Sequence, residues 1–416
     1  MAGDAGHPLS AAAPATVEPL SGRRRWVIAF VGLLLLFTSS GVGFYGFSAF
    51  VKPLSAEFGW GRGEISLAIT VQFLTTAIAG PLVGRLVDRY GPRRLMLTGL
   101  CLYGLTLLGL SRMWTRWHLL AGFVSLGLGS ALFGTVPVQS AVAAAFGPRR
   151  GRAVGLVTMG ISLGGVLMAP VAVVLVDSLG WRSALAVLGL GILVLMPPVV
   201  AAAIRLPRSR SPADRPAPPG PSLGDVIRQP VFWALGAAIF AGSLGSLATL
   251  FHLVSFFTDR GLDPLTASAL LSLTTGFGVA AKLIFGPLCD LISARRVMVL
   301  TFSLQVAGLC GYLFLPPGVP SYAATAVVFG LGMGANSAVH PILASQTFGL
   351  AAFGTVFGAL VAFFQVASAL GPAVAGLAYD LTGSYSAAFL MFLGGLTVGL
   401  LSLGLSGRLL ASAPRP

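Results

Sequence analysis

Twelve apolar runs recur along this chain, at about 26–50, 65–87, 95–111, 118–146, 153–176, 183–204, 231–257, 265–289, 297–315, 321–348, 352–379 and 385–407. Each is long enough to cross a bilayer, since a helix needs about 20 apolar residues to span the hydrocarbon core. In lipid, every backbone polar group must be satisfied within its own helix or within a closed barrel. The runs show helical periodicity or none, and no long polar–apolar alternation, which argues against a β-barrel. The expectation is an all-α integral membrane protein with twelve transmembrane helices. Composition agrees: 56% of residues are hydrophobic and 9% charged, against about 25% charged in soluble domains.

The formal net charge of +14 raises the question of nucleic acid, and position answers it. With the amino terminus inside, 19 of the 26 Lys and Arg residues fall on the cytoplasmic side, six fall outside, and Lys282 lies within a run. That asymmetry is the positive-inside pattern. It predicts that both termini are cytoplasmic, and it makes the basic residues a matter of topology, with no nucleic-acid partner. Residues 1–25 read as a short disordered cytoplasmic tail and not as a cleaved signal peptide. Cys101, Cys289 and Cys310 are scattered in or at the ends of runs, without disulfide or metal spacing; they are assigned to packing, and no cofactor is expected.

The chain repeats itself at an offset of about 202 residues. "GRLVDRYGPRRLM" (Gly84 to Met96) aligns with "GPLCDLISARRVM" (Gly286 to Met298), and "APVAVVLVDSLGWRSA" with "GPAVAGLAYDLTGSYSAA". Two pseudo-symmetric six-helix bundles follow, at 26–204 and 229–408. A Pro/Arg/Ser-rich cytoplasmic linker lies between them at 205–228, and a short tail follows at 409–416. Transporters built from such repeats place their substrate between the halves near mid-membrane.

"GRLVDRYGPRR" resembles the loop signature of the major facilitator superfamily, and its echo at Gly286 to Arg296 strengthens the likeness. "FSAFVKPLSAEFGWGRGEIS", "FGPRRGRAVGLVTMG" and "FHLVSFFTDRGL" resemble the monocarboxylate-transporter branch, particularly its bacterial members. In the helix 5 pattern Phe146, Arg149, Arg150, Ala153, Gly155 and Gly160 fit, whereas Ala145, Pro148 and Arg152 depart. The lead-in to helix 1 found in animal members is missing, and "SGRRRW" stands there. The resemblance implies a multi-pass cell membrane protein, of bacterial inner-membrane type. It also implies a gating role for Gly84, Asp88, Arg89, Gly91, Arg93 and Arg94, repeated at Gly286, Asp290, Arg295 and Arg296. Asp88 is placed to accept hydrogen bonds from a neighbouring helix end or to pair with a loop arginine, forming a latch that biases alternating access. The plainer alternative is a topogenic charged loop.

Lys282 stands inside the eighth run, and its repeat mate is Gly80, so the architecture does not require a charge there. A lysine in a span costs roughly 2.5–3.5 kcal/mol on insertion scales. It therefore either faces a protein interior or cavity, or snorkels to the nearer interface. Thr275 and Gly278 share its helix face, a small and weakly polar stripe that suits a cavity wall. In the resembled branch, the matching position holds an arginine that binds the substrate carboxylate. Lys282 in that place keeps the charge without the planar two-pronged grip. Animal members also carry a lysine in helix 1, where Tyr45 stands here.

Further substrate-binding candidates are polar residues within runs: Asn336 and His340 at i and i+4, Thr135 and Gln139 at the same spacing, His252 near the outer end of helix 7, and Gln365 in helix 11. Phe44, Phe47, Phe251 and Phe364 suggest a modest apolar pocket. Acidic residues sit only at span ends, which leaves a histidine, Lys282 or the substrate itself as proton carrier. Metal clusters, phosphate loops and nucleophile–base pairs are not evident, so an enzyme is not expected. The reading is a secondary active transporter, functional as a monomer, coupling protons to a small organic anion, a monocarboxylate of lactate or pyruvate type. The alternative is an organic-anion exchanger or an exporter of a larger amphipathic compound.

Overall fold

The computed structural model describes residues 22–147, 150–204, 223–350 and 352–412. Residues 1–21, Pro148 and Arg149, residues 205–222, Ala351 and residues 413–416 lie outside them. Among the described residues, 12 helical spans are long and apolar enough to cross a membrane.

The first bundle begins with α1 (Gly22–Ser40), which continues through a π-helical turn (Gly41–Tyr45) and a 3-10 turn (Gly46–Phe50) into α2 (Val51–Phe58). Then come α3 (Arg62–Tyr90), α4 (Pro92–Leu110), the interrupted pair α5 (Arg116–Phe133) and α6 (Thr135–Phe146), α7 (Gly151–Leu179) and α8 (Trp181–Ala203). A short helix, α9 (Leu223–Ile227), occupies part of the stretch expected as linker. The second bundle comprises α10 (Pro230–Thr258), α11 (Pro264–Leu291), α12 (Ala294–Phe314), the interrupted pair α13 (Val319–Gly334) and α14 (Asn336–Phe348), α15 (Phe353–Thr382) and α16 (Tyr385–Ser412). Arg89, Arg93, Arg94, Arg150, Arg295 and Arg296 lie at one face, here called the basic face.

Local chemistry sets several boundaries. Proline opens α4, α10 and α11, where its missing N–H costs nothing. Gly91 turns α3 into α4 at φ +79°, a conformation that favours glycine. The two interruptions fall at equivalent places in the repeat, Gly134 and Ala335. Irregular backbone at membrane depth is tolerated where it is buried in protein or lines a cavity, and a cavity lies beside both breaks.

Lipid offers no hydrophobic drive for helices to associate, so close backbone approach matters more than in water. Two crossings join the bundles in this way. In α3/α15, a Cβ at Gly80 would lie 2.7 Å from the Gly358 carbonyl oxygen, and one at Gly354 would lie 2.7 Å from that of Gly84. In α7/α11, a Cβ at Gly286 would lie 2.7 Å from the Gly151 carbonyl oxygen, and Gly155 sits against the backbone of Lys282. Gly80 lies ten residues from the basic end of α3, about 15 Å at 1.5 Å per residue, so both crossings are in the basic half. Toward the opposite face, Phe44 meets Phe251 of α10 edge-on, with ring centroids 5.7 Å apart. The glycine crossings join the bundles in the basic half, and the Phe44–Phe251 contact bridges them toward the other face.

Candidate functional site

Between the bundles lies a cavity of about 200 Å³. Its first-bundle wall is rich in small polar groups: Ser39 and Ser40, Gln72 and Thr76 of α3, Ser130 of α5 and Thr135 of α6. Leu36, Phe44, Phe73, Val136 and Ile161 make up much of the rest of that wall, and the second-bundle wall has a similar mixture, with Ile239 and Leu247 of α10 and Phe357, Leu360, Val361 and Phe364 of α15 as its apolar part. Ser337, His340, Gln365 and Ser368 interrupt that apolar surface. No lining residue is charged. Phe44 touches both Tyr45 and Phe73, at 4.8 and 5.4 Å between centroids, so this aromatic group stands at the end away from the basic face.

Of the aromatic residues singled out from sequence, Phe44 and Phe364 line this cavity and Phe47 and Phe251 do not; of the eight substrate-binding candidates, Tyr45, Thr135, His340 and Gln365 line it. The other four do not. His252 is tied into its own bundle, with Nδ1 3.2 Å from the Tyr385 hydroxyl and Nε2 3.0 Å from the Pro372 carbonyl. A carbonyl can only accept, so Nε2 donates there. Asn336 accepts from the Gln305 amide at 3.4 Å, and Gln305 also accepts from Ser246. Gln139 is buried one turn below Thr135, and neither of its amide atoms has a partner among the described residues.

Lys282 lies just behind the cavity wall, 5% exposed. Its ammonium donates to the Ser162 hydroxyl of α7, across the boundary between the bundles. Ser162 is eleven residues from the start of α7, about 16 Å into the membrane, so the side chain reaches away from the basic interface. Snorkelling would require the reverse. Ser162 neighbours Ile161, a lining residue whose carbonyl accepts from Ser40. One turn further along α7, the Tyr45 ring lies over Gly165. The cation thus sits beneath two elements of the wall.

Hydrogen bonding separates committed from free groups. Ser40 bonds to the Leu36 carbonyl, Thr76 to that of Gln72, Ser130 to that of Gly127 and Ser368 to that of Phe364. Among the described residues, three buried lining atoms have no partner: Gln72 Oε1, Ser337 Oγ and His340 Nε2. Gln72 and Ser337 were not singled out from sequence. Ser337 had a signal there, because it is the repeat mate of Thr135 at the offset of 202.

At the basic face, Asp88 accepts from the Gly354 and Thr355 backbone N–H groups at 2.9 and 2.7 Å and from the Thr355 hydroxyl at 2.7 Å. These donors open α15, whose own N-cap, Ala352, offers no side-chain acceptor. Asp88 therefore caps a helix of the other bundle. Its repeat mate Asp290 does the same for α7, accepting from Gly151 N–H at 2.8 Å. Beside it, Arg150 is buried, donates to the Pro341 carbonyl at 3.1 Å and stacks over Phe353. Burial pulls its guanidinium down to about 10, opposed by Asp290, which leaves it charged at neutral pH. Two of the remaining motif arginines brace their own bundles. Arg93 donates to the Ala201 carbonyl at the end of α8 at 2.8 Å, and Arg295 lies over Gly407 of α16 in the equivalent place. Arg89 stacks on Tyr90. Arg94 and Arg296 stand beside these two in the first turns of α4 and α12.

The model of the Major Facilitator Superfamily matches residues 33–317 and 257–415. The chain belongs to the Major Facilitator Superfamily (MFS). It is an MFS transporter and not an enzyme. It is 28% identical to monocarboxylate transporter 11 of Homo sapiens, over 92% of this chain and 83% of that protein. It is 27% identical to monocarboxylate transporter 13 of Bos taurus, over 90% and 87%. It is also 27% identical to the agnestins efflux protein AgnL12 of Paecilomyces divaricatus, over 79% and 76%. Among solved MFS structures, the fold resembles the E. coli fucose:proton symporter FucP (TM-score 0.70, 13% identity, 92% and 99% covered). It also resembles the proton:xylose symporter XylE (TM-score 0.71, 14% identity, 93% and 96% covered).

Proposed function

We propose that this MFS protein is a secondary active transporter that moves a monocarboxylate together with a proton by alternating access. The observation that carries the reading is the buried cation beside the cavity. The Lys282 ammonium has a neutral hydroxyl as its hydrogen-bond partner, and it belongs to neither ion pair found among the described residues. A buried charge is costly unless paired, and a carboxylate entering the cavity supplies the missing anion. The Ser162 hydroxyl, accepting from the ammonium, is left free to donate its own proton toward the cavity side. A proton travelling with the anion keeps the step electroneutral, and His340 is the lining group suited to carry it. The kinship with proteins named monocarboxylate transporters supports the same substrate class.

In this reading the basic face is cytoplasmic, both termini lie inside, and the Asp88 and Asp290 caps hold an outward-facing state. One chain contains the whole cavity, so a monomer suffices. The test is uptake of radiolabelled monocarboxylates into proteoliposomes, with and without an imposed proton gradient. Saturable uptake driven by the gradient and lost in Lys282→Gln is the expected result. Near-normal uptake by that variant would remove Lys282 from the mechanism.

A further inference from the structure

One stripe of α3 faces away from the rest of the protein. Leu67, Leu74, Ile78, Leu82, Arg85 and Arg89 are all exposed. Their spacings of seven, four, four, three and four residues put them on a single helix face. The other faces are occupied: Gly80 and Gly84 meet α15, and Ala79, Val83 and Val87 pack with Leu95 and Ala131. The stripe is apolar along most of the span, with Ile78 81% exposed, and it ends in two cations at the basic face. Arg85 stands five residues before Tyr90, ~7.5 Å from the end of α3, so its long side chain reaches the layer of lipid phosphates.

Among the described residues, neither arginine belongs to an ion pair, and Arg89 has the Tyr90 ring beside it. Their acidic neighbour Asp88 is turned to α15 and accepts from its first N–H groups. The repeat shows that the fold does not need these two charges. Arg93 and Arg94 recur at Arg295 and Arg296, whereas Arg85 and Arg89 are replaced at the same offset by Pro287 and Leu291. The equivalent face of α11, with Ile284 and Leu291 exposed, carries no cation. Orientation in the membrane is set by positive charge in the loops, which leaves the pair on the lipid face without a topological purpose.

We propose that Arg85 and Arg89 hold the phosphate of an anionic phospholipid whose acyl chain lies along Leu82, Ile78 and Leu74. Residues at i and i+4 have Cβ atoms ~5–6 Å apart, so both guanidinium groups reach one phosphate, each with a planar fork that matches its oxygens. A zwitterionic headgroup brings its own cation. Two arginines with no acidic partner match a headgroup of net negative charge. The apolar stripe distinguishes a lipid from a soluble anion, which would gain from the charges alone. The lipid is thereby held on the turn of α3 that also carries the Asp88 cap.

The experiment offers the purified full-length protein equal amounts of phosphatidylglycerol and phosphatidylcholine. Native mass spectrometry reads which lipid is retained, and thermal unfolding reads the stabilisation each one gives. One cation at an anionic surface is worth roughly fivefold, so phosphatidylglycerol should be retained about tenfold or more over phosphatidylcholine. Arg85→Gln with Arg89→Gln should abolish that preference, and each single variant should reduce it. Arg152→Gln, which removes an exposed arginine of α7 at the same face, should keep it. Thermal midpoints in phosphatidylcholine establish that each variant is folded, and the single variants carry the test if the double variant is not. Equal retention of the two lipids by the wild type would reduce the pair to snorkelling charges and overturn the proposal. An equal loss of preference in Arg152→Gln would make it a general effect of surface charge. Stabilisation by glycerol phosphate equal to that by phosphatidylglycerol would replace the lipid with a soluble anion.

Discussion

Replacing Lys282 by glutamine separates a charge that binds substrate from one the fold merely tolerates. If the ammonium serves only its bond to Ser162, removing it relieves a buried cation, and the protein should become more stable with transport intact. If it attracts the substrate anion, uptake should fall at least about tenfold while insertion and monodispersity are kept. Lys282→Arg should retain anion preference with changed selectivity, because the planar fork presents its donors differently. His252→Phe should do the opposite of Lys282→Gln. Its two bonds are internal to one bundle, so thermal unfolding should shift by about 1–3 kcal/mol with the substrate KM unchanged. A raised KM would bring His252 back to the substrate path. These contrasts also mark where sequence reasoning stopped. His252, Asn336, His340 and Gln365 look alike as polar residues within apolar runs. What divides them is whether a partner waits elsewhere in the fold. Asn336 finds Gln305, 31 positions away, and His252 finds Pro372 and Tyr385, 120 and 133 positions away. Periodicity cannot show such partners. Lys282 was legible because a cation in a span is rare by itself.

Helices α15 and α7 each begin with N–H groups capped by a carboxylate from the opposite bundle. A cap of this kind contributes about 0.5–2 kcal/mol, and the charge adds to it through the helix dipole. Asp88→Asn keeps one acceptor oxygen and loses the charge, so the latched state should weaken by about 1 kcal/mol, a roughly fivefold shift in population. Cysteine crosslinking between the basic ends of α3 and α15 should slow accordingly. Asp88→Asn with Asp290→Asn should shift it further, since the caps sit on separate crossings and distant effects add. Unchanged crosslinking would reduce both carboxylates to loop charges. The motif at Gly84 was readable as a latch because its spacing recurs at Gly286. The sequence left two partners open for the carboxylate, a neighbouring helix end and a loop arginine, and did not choose between them. The choice of the helix end depends on Ala352 offering α15 no cap of its own.

At the scale of the whole molecule, the positive-inside asymmetry and the packing of the bundles bear on one question: which side of the membrane the cavity opens to. The glycine crossings and both carboxylate caps close the basic half, and the aromatic contact of Phe44 with Phe251 stands at the other end. If the basic face is cytoplasmic, as 19 of 26 cations on one side predict, the expected access to the cavity is from outside, past the Phe44–Phe251 contact. Ser368→Cys, placed in the cavity wall on a background with Cys101, Cys289 and Cys310 replaced by alanine, should react with a membrane-impermeant thiol reagent added to intact cells. A transported acid should slow that reaction by occupying the cavity. Ser345→Cys, three residues from the basic end of α14, should react only after the cells are opened. Fluorescent tags at both termini should read as cytoplasmic. Labelling of Ser345→Cys in intact cells would invert the topology. Equal labelling of Ser368→Cys from both sides would mean that the basic-face crossings do not seal the cavity.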